Sequence, residues 1–108
     1  MANVFYLDVD DEITSAAARI RTSEDPRVGL VVPPGSRIAT SRINFRLLAR
    51  EALERNRALS IVSTDPAARA LAASAGLPVY ATVGEFEADQ DDQLGGQTSG
   101  QSRAAAVA

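Results

Sequence analysis

The sequence predicts a small α/β domain built on a parallel four-stranded sheet, because short apolar runs alternate with stretches of helical periodicity. Four runs rich in β-branched or aromatic residues are predicted as strands, at residues 4–9, 28–32, 59–63 and 78–81. Between them, apolar residues recur at the three- and four-residue spacing of amphipathic helices. The pattern βαβαβαβ implies right-handed crossovers and helices on both faces of the sheet. We therefore expect a three-layer sandwich with the strand order 2-1-3-4, as in flavodoxin-like and Rossmann-like folds.

The first two helices are predicted from their apolar spacing and from the residues that bound them. Asp10 or Asp11 is placed to cap the first helix, since acids are favourable at the positive end of a helix dipole. Its apolar face is formed by Ile13, Ala16, Ala17 and Ile20. The second helix begins near Ser41, after the prolines of residues 33–34 end the second strand. It has the strongest helical pattern in the chain, with a predicted buried stripe of Phe45, Leu48, Ala49, Ala52 and Leu53.

The third helix and a short closing helix carry clear terminal signals. Asp65 followed by Pro66 predicts an N-cap with proline at the first helical position, and Gly76 stands where a glycine ends a helix. The apolar stripe between them consists of Ala68, Leu71, Ala72 and Ala75. Thr82 and Glu85 have the spacing of a capping box, which predicts a brief helix that carries Phe86.

A change of composition near residue 89 predicts the domain boundary. Residues 3–88 form the predicted α/β domain, whereas residues 89–108 are acidic and then rich in Gly and Ser. Such a segment buries too little apolar surface to offset the entropy lost on ordering, so we expect a disordered linker or tail. A linker at this position suggests that the chain continues into the remainder of a longer parent protein.

Composition excludes several kinds of chemistry. The chain has no Cys and no His, and all eleven basic residues are Arg. Disulfides, thiolate nucleophiles, imidazole bases, His/Cys zinc sites and lysine Schiff bases are therefore excluded, and we expect no cofactor. The net charge of -3 argues against a nucleic-acid partner. No apolar run approaches the length of a membrane span, so the sequence predicts a soluble, cytoplasmic domain.

The acidic turn after the first strand allows an enzymatic alternative. Asp8 and Asp10 resemble the Asp-x-Asp motif of haloacid dehalogenase-type phosphatases, with Ser63 or Thr64 as the later hydroxyl, and with Asp11 they also resemble the acids of receiver domains. Either resemblance implies a small phosphate- and Mg²⁺-binding domain. Both families use a lysine to balance phosphoryl charge, and this chain has none. We prefer the interpretation that these acids cap a helix and that the domain is not an enzyme.

The second helix carries a candidate binding surface. Arg42, Arg46 and Arg50 recur at i, i+4, i+8, opposite the apolar face. Such a stripe suits an acidic protein surface or an anionic membrane surface. No aromatic residues interleave the arginines, which argues against single-stranded nucleic acid. The alternative is a solvated face whose arginines are partly paired, with Glu51 next to Arg46 or Glu54 next to Arg50.

Several segments together resemble a known bacterial domain. They are the opening Tyr6–Thr14, then residues 31–36, 41–48, 60–66 and 71–79, so that the resemblance covers nearly all of residues 4–86. The chain resembles the N-terminal cytoplasmic α/β domain of uncharacterised multidomain bacterial proteins of the phage baseplate J-like group. In those proteins a low-complexity linker, a membrane span and an extracytoplasmic part follow.

The resemblance implies an architecture rather than a mechanism, since it supplies no catalytic residues. The leading hypothesis is a non-catalytic binding or scaffolding domain, the cytosolic head of a larger envelope-associated protein. Its partner would be another protein or the remainder of the parent chain. A regulatory protein similar to the anti-anti-sigma factors is a further alternative, although no serine clearly matches their phosphorylated position.

Overall fold

The computed structural model describes the backbone of residues 2–95 and the side chains of residues 2–89. The predicted alternation of strands and helices is confirmed. In chain order the elements are β1 (Asn3–Tyr6), α1 (Ile13–Thr22), β2 (Arg27–Val31), a 3₁₀ turn (Ile38–Thr40), α2 (Arg42–Glu54), β3 (Ala58–Val62), α3 (Pro66–Ser74), β4 (Val79–Tyr80) and α4 (Val83–Gly95). Helix α4 therefore continues past the predicted boundary at residue 88. The part of the predicted tail from residue 96 to 108 lies outside the described residues.

The sheet is parallel throughout, and its strands lie in the order β1-β2-β3-β4. The predicted order 2-1-3-4 is wrong. That order, taken from flavodoxin-like folds, places β1 inside the sheet. In the structure β1 is an edge strand and Tyr6 is 64% exposed. Apolar composition alone does not specify which strands become neighbours, since that pairing is a long-range property of the fold.

The strand order also determines where the helices lie. Every crossover steps in the same direction across the sheet, so right-handed connections place α1, α2 and α3 on one face. Helix α2 lies between the other two and contacts both. The core of this face is contributed by alternate strand residues and the inner helix residues: Val28, Leu30, Leu59, Ile61, Ala16, Ile20, Phe45, Leu48, Ala52, Ala68 and Ala72. Helices lie on both faces of the sheet, because α4 covers the other face, but the three crossover helices share one face instead of alternating as in a doubly wound sheet.

Helix α4 covers the opposite face of the sheet through a single buried aromatic side chain. Phe86 is fully buried and lies directly over Gly29, where a Cβ atom would come within 2.8 Å of the phenyl Cε2. It also meets the ring of Tyr80 edge to face, with the ring centroids 5.7 Å apart. The Tyr80 hydroxyl donates to the Asp89 carboxylate, which fixes the next turn of α4 to the edge strand β4. Gly29 is thus the close-approach site that allows α4 to dock.

The predicted helix boundaries are confirmed for α2 and α3. Ser41 Oγ accepts from Ile43 N at 3.1 Å, and Asp65 Oδ1 accepts from Ala67 N at 3.1 Å. Gly76 has a φ of +83°, the left-handed conformation expected after the last turn of α3.

The predicted capping box of α4 also forms. The Thr82 hydroxyl accepts from Glu85 N, and the Glu85 carboxylate accepts from Ala81 N, both at 3.1 Å. For α1 the prediction is wrong: the N-cap residue is Glu12, and no side chain caps the helix. The carboxylate of Asp11 instead accepts from the backbone of Asp8, within the preceding turn.

The Tyr80–Asp89 contact predicts an alkaline dependence of stability. Burial, followed by the hydrogen bond to Asp89 and the negative charge of that carboxylate, raises the pKa of Tyr80 well above its ordinary value. A raised pKa in the folded state means that the protonated phenol stabilises the fold. This contribution is complete below about pH 10, the pKa of an unfolded tyrosine, and is lost as the pH rises through the folded-state pKa. A Tyr80→Phe variant, which has no phenol at this position, should not lose stability in this way at alkaline pH.

Phenolate absorbance measures this titration directly. The chain has two tyrosines, so a Tyr6→Phe variant leaves Tyr80 as the only phenol, and it should ionise above the pKa of free tyrosine. Adding Asp89→Asn should lower the Tyr80 pKa only part of the way toward that of free tyrosine, because the burial of the ring remains. Ionisation of Tyr80 at the free-tyrosine pKa would contradict the contact.

Candidate functional site

At the carboxyl edge of the sheet, where parallel sheets usually bind ligands, two of the chain's own loops pack on each other. The turn after β1 packs against the loop after β2, and Arg37 N donates to Val9 O at 3.0 Å. Leu7, the residue directly after β1, is buried, and Leu7 N donates to Val31 O. Beside this contact a shallow depression of about 390 Å³ remains open, lined by Glu12, Ile13, Arg37, Ile38, Thr40 and Asn44.

The acidic turn is held together by its own backbone. Asp11 Oδ2 accepts from Asp8 N at 2.7 Å, while Asp11 N donates to Asp8 O at 3.0 Å. Glu12 pairs with Arg37 at 3.3 Å, and Asp10 is exposed to solvent. Among the described residues, no three acidic side chains converge closely enough to share a metal ion. The Asp11 carboxylate therefore stabilises the turn, and the carboxylates of Asp8 and Asp10 do not form one cluster with it.

The serines at the same edge already have structural partners. Ser63 is buried, donates to Val32 O at 2.8 Å and accepts from Asp65 N at 3.1 Å. Ser36 is also buried, and its hydroxyl accepts from Ile38 N at 3.2 Å. In the described region the hydrogen bonds of both hydroxyls go to backbone groups, whereas an activated nucleophile is bonded to a side-chain base. The hydroxyl that the phosphatase alternative requires would have to be that of the exposed Thr64.

The arginine stripe of α2 forms the surface that the sequence predicts. The Ser41 cap and the buried residues of the helix turn Arg42, Arg46 and Arg50 outward, and all three are exposed. Arg50 Nε pairs with Glu54 Oε2 at 3.1 Å, which confirms the predicted pairing of these two residues.

The other predicted pairing, Arg46 with Glu51, does not form. Glu51 instead contacts Arg55 at 3.0 Å and Arg21 at 3.7 Å. Arg42 and Arg46 therefore have no ion pair among the side chains that the structure describes.

Exposed apolar residues, which were not among the predicted surface residues, accompany the arginines. Ile43 is 64% exposed and Leu47 is 48% exposed, one helical turn apart. Leu53 was predicted to be buried, and this is wrong, because it is 77% exposed. The sequence did contain a sign of the exposure of Ile43 and Leu47. They lie four residues apart on the helix, and neither belongs to the predicted buried stripe.

Leu47 also lines a shallow groove between α1 and α2, of about 390 Å³, opposite Ile13 and Ala17. The outer face of α2 thus combines cationic and apolar side chains. Such a mixture is typical of the surfaces that proteins use to bind one another.

Two wider observations bear on the protein as a whole. In the described part of the chain, no helix has the length and apolar character needed to cross a membrane. Comparison with protein-family models, with curated proteins and with solved structures finds no match to this chain.

Proposed function

We propose that this domain is a non-catalytic binding or scaffolding module, the cytosolic head of a larger envelope-associated bacterial protein. The observation that carries the first part is made at the carboxyl edge of the sheet, where the loops after β1 and β2 pack on each other and the hydroxyls of Ser36 and Ser63 are committed to structural hydrogen bonds. The second part rests on the resemblance of residues 4–86 to the N-terminal domain of baseplate J-like bacterial proteins.

The proposed contact surface is the outer face of α2. Arg42 and Arg46 project from it without an ion pair in the described region, and Ile43 and Leu53 are exposed on the same helix. Arginine and aliphatic side chains together favour a protein partner with an acidic, partly apolar surface, either a separate protein or the remainder of the parent chain. An anionic membrane is the less favoured occupant, because Glu51 and Glu54 share this helix and would be repelled by anionic headgroups.

The non-catalytic assignment predicts that the acidic turn has no role in turnover. With Mg²⁺ and an aryl phosphate, the wild-type domain and the Asp8→Asn variant should both remain at the rate of the buffer blank. Asp8→Asn should also keep its stability, because the backbone N–H of residue 8, not the side chain, donates to Asp11. Asp11→Ala should cost about 0.5–1.5 kcal/mol, the usual contribution of one hydrogen bond. Phosphate release that Asp8→Asn abolishes would overturn the assignment.

The surface assignment predicts a charge-dependent interaction. Poly-L-glutamate, used as an acidic probe, should shift the amide signals of residues 42–50 in the wild-type domain. Replacing Arg42, Arg46 and Arg50 by Gln should weaken this binding about tenfold, since exposed ion pairs contribute about 0.5 kcal/mol each. The free triple variant should keep its stability within about 0.5 kcal/mol. The lost Arg50–Glu54 pair and the relieved repulsion among the arginines are each worth only a few tenths of a kcal/mol.

A matched control separates this surface from charge in general. Replacing Arg21, Arg37 and Arg55 by Gln removes the same charge from exposed positions outside the stripe, and it should leave most of the binding intact. Equal weakening of both triple variants would mean that the probe senses only net charge. Vesicles of phosphatidylcholine with phosphatidylserine test the other occupant. Binding to these vesicles through the same three arginines, without binding to poly-L-glutamate, would favour the membrane instead.

A further inference from the structure

We propose that the outer face of α2 in one copy of this chain binds the outer face of α4 in a second copy, so that copies associate head to tail. The inference rests on the function proposed above, because it uses the same arginine surface and names the partner which that surface binds. Helices α2 and α4 lie on opposite faces of the sheet, so these two surfaces do not meet within one chain. Each copy therefore presents one surface of each kind.

The first argument is the separation of charge between the two helices. Helix α4 has five acidic residues and no basic residue, a net charge of -5. The whole chain has a net charge of -3, so the remainder outside α4 has a net charge of +2. Residues 42–57, which are α2 and the turn after it, contain five arginines and two glutamates, a net charge of +3. The two helices are thus opposite in charge even when the glutamates of α2 are counted.

The acids of α4 are not neutralised by the arginines of their own domain. No ion pair among the side chains of residues 2–89 involves this helix. Glu85 accepts from the backbone of Ala81, Asp89 accepts from the Tyr80 hydroxyl, and Glu87 is exposed. Since the first two arginines of the stripe also lack an ion pair in the described region, bringing α2 against α4 forms new ion pairs instead of exchanging existing ones.

The second argument is the shape of the outer face of α4. Phe86 is buried against the sheet, and Gly84 and Ala88 each lie two positions from it. At 100° per residue, two positions place both on the side of the helix that faces away from the sheet, and both are exposed. Glu85 and Glu87, each one position from Phe86, flank them on either side. The outer face is therefore a shallow groove of small residues between two acidic rims.

The outer face of α2 has the complementary shape. Ile43 and Leu47 form an exposed apolar ridge, and Arg42 and Arg46 lie beside it. The ridge on α2 and the groove on α4 have the same spacing of four residues, which is the spacing that lets the ridge of one helix fit the groove of another. Placing the ridge on the small residues brings the arginines against the glutamates of the rim and removes the two aliphatic side chains from water.

These matches select a second copy of this chain as the occupant of both faces. Charge, side-chain size and spacing agree between two exposed surfaces of one molecule that cannot reach each other intramolecularly. Because the two surfaces differ, the contact is heterologous, and each added copy leaves a free α2 face at one end and a free α4 face at the other. Such a contact produces open chains or closed rings rather than a symmetric dimer, an assembly suited to a scaffolding module.

Sedimentation of the full chain tests the self-association. The wild-type protein should sediment faster as its concentration rises, and about 1 M salt, where the screening length is about 3 Å, should weaken the association. Poly-L-glutamate should also weaken it, by competing for the α2 face. A wild-type protein that remains monomeric up to about 1 mM overturns the proposal. If poly-L-glutamate still shifts the amide signals of residues 42–50, only the choice of partner fails. If it does not, the function proposed above fails as well.

Two blocked variants test the heterologous contact. Arg42→Glu/Arg46→Glu reverses the charge of the α2 face, and Glu87→Arg/Ala88→Arg reverses the charge of the α4 face and fills its groove. All four positions are exposed, so both variants should keep the circular dichroism of the wild type. Each alone should associate at least about tenfold more weakly than the wild type. An equimolar mixture should associate again, because the intact α4 of the first variant can bind the intact α2 of the second. A mixture that stays monomeric overturns the proposal.

A matched control separates this contact from charge in general. Arg21→Glu/Arg37→Glu makes the same change in net charge at exposed positions outside α2, and it should associate nearly as the wild type does. An equal loss of association in this control would overturn the assignment of the contact to α2.

Cross-linking tests which faces meet, because the natural chain has no cysteine. With a short bismaleimide, Leu47→Cys mixed with Ala88→Cys should form linked dimers faster than either variant does alone. The proposed contact places residue 47 of one copy near residue 88 of another, and it does not bring identical positions together. Linking of either variant to itself at the same rate as in the mixture would overturn the heterologous arrangement.

Discussion

Replacing Leu48 by alanine should lower the free energy of unfolding by about 2–5 kcal/mol, the usual cost of truncating a buried leucine. Leu48 is fully buried near the middle of α2, and this helix contacts α1, α3 and β3. A helix held from several sides has little freedom to move into the space left by a deleted side chain. The cavity should therefore persist, which places the expected cost toward the upper part of the range. Urea denaturation followed by circular dichroism measures it.

The adjacent residue supplies the control. Leu47 is 48% exposed, so Leu47→Ala removes the same atoms from a partly solvated position and should cost less than about 1 kcal/mol. An effect of Leu48→Ala below about 0.5 kcal/mol, or equal effects of the two changes, would mean that the wrong face of α2 has been assigned to the core.

The second large effect is expected from Phe86→Ala, at about 3–5 kcal/mol. Phe86 is the fully buried side chain by which α4 holds the sheet, and its ring contacts Gly29 and Tyr80. Without the ring, the side chains of α4 that the structure describes would keep the Tyr80–Asp89 hydrogen bond but lose the fully buried contact with the sheet. The measurement should therefore combine the unfolding free energy with hydrogen exchange of the α4 amides, which should become fast.

Gly29 tests the same contact from the strand side. In the wild-type protein Gly29→Ala should destabilise by about 1–3 kcal/mol, because the new methyl group would meet the Phe86 ring at 2.8–2.9 Å. In the Phe86→Ala background the same change should be neutral or stabilising, since glycine is a poor strand residue. This reversal of sign is the coupling that a double-mutant cycle detects. Additive effects of the two substitutions would contradict the close packing of the helix on this strand.

Local features of the sequence predict the elements well, whereas the strand order depends on contacts between distant segments. The cap at Ser41, the Asp65–Pro66 start and the left-handed Gly76 are each determined within a few neighbouring residues, and all three are found in the structure. The pairing of β1 with β2 alone, and not with β3, has no local signature. The packing of Phe86 on Gly29 joins residues in separate elements, and a glycine within a strand was its only sign in the sequence.

The candidate surface could be predicted in part. The spacing of Arg42, Arg46 and Arg50 opposite the buried stripe was enough to place them outside. Leu53 was misplaced because it lies at the border of that stripe, where burial depends on how far the neighbouring helices extend. The acids of the turn were misassigned as caps for a related reason. A carboxylate near a helix start can accept from the helix or from the preceding turn, and Asp11 does the latter.

The order in which the strands pair has a consequence for synthesis on the ribosome. Each strand of the sheet lies beside the strand that precedes it in the chain, so no pairing has to wait for a later segment to insert between two earlier ones. The β1–α1–β2 unit can begin to pack as soon as it leaves the exit tunnel, and β3 and β4 can then add to the growing edge in turn. Nascent domains generally fold from the N-terminus during translation. For this chain the direction of sheet growth coincides with the direction of elongation, so vectorial folding requires no rearrangement of strands already in place.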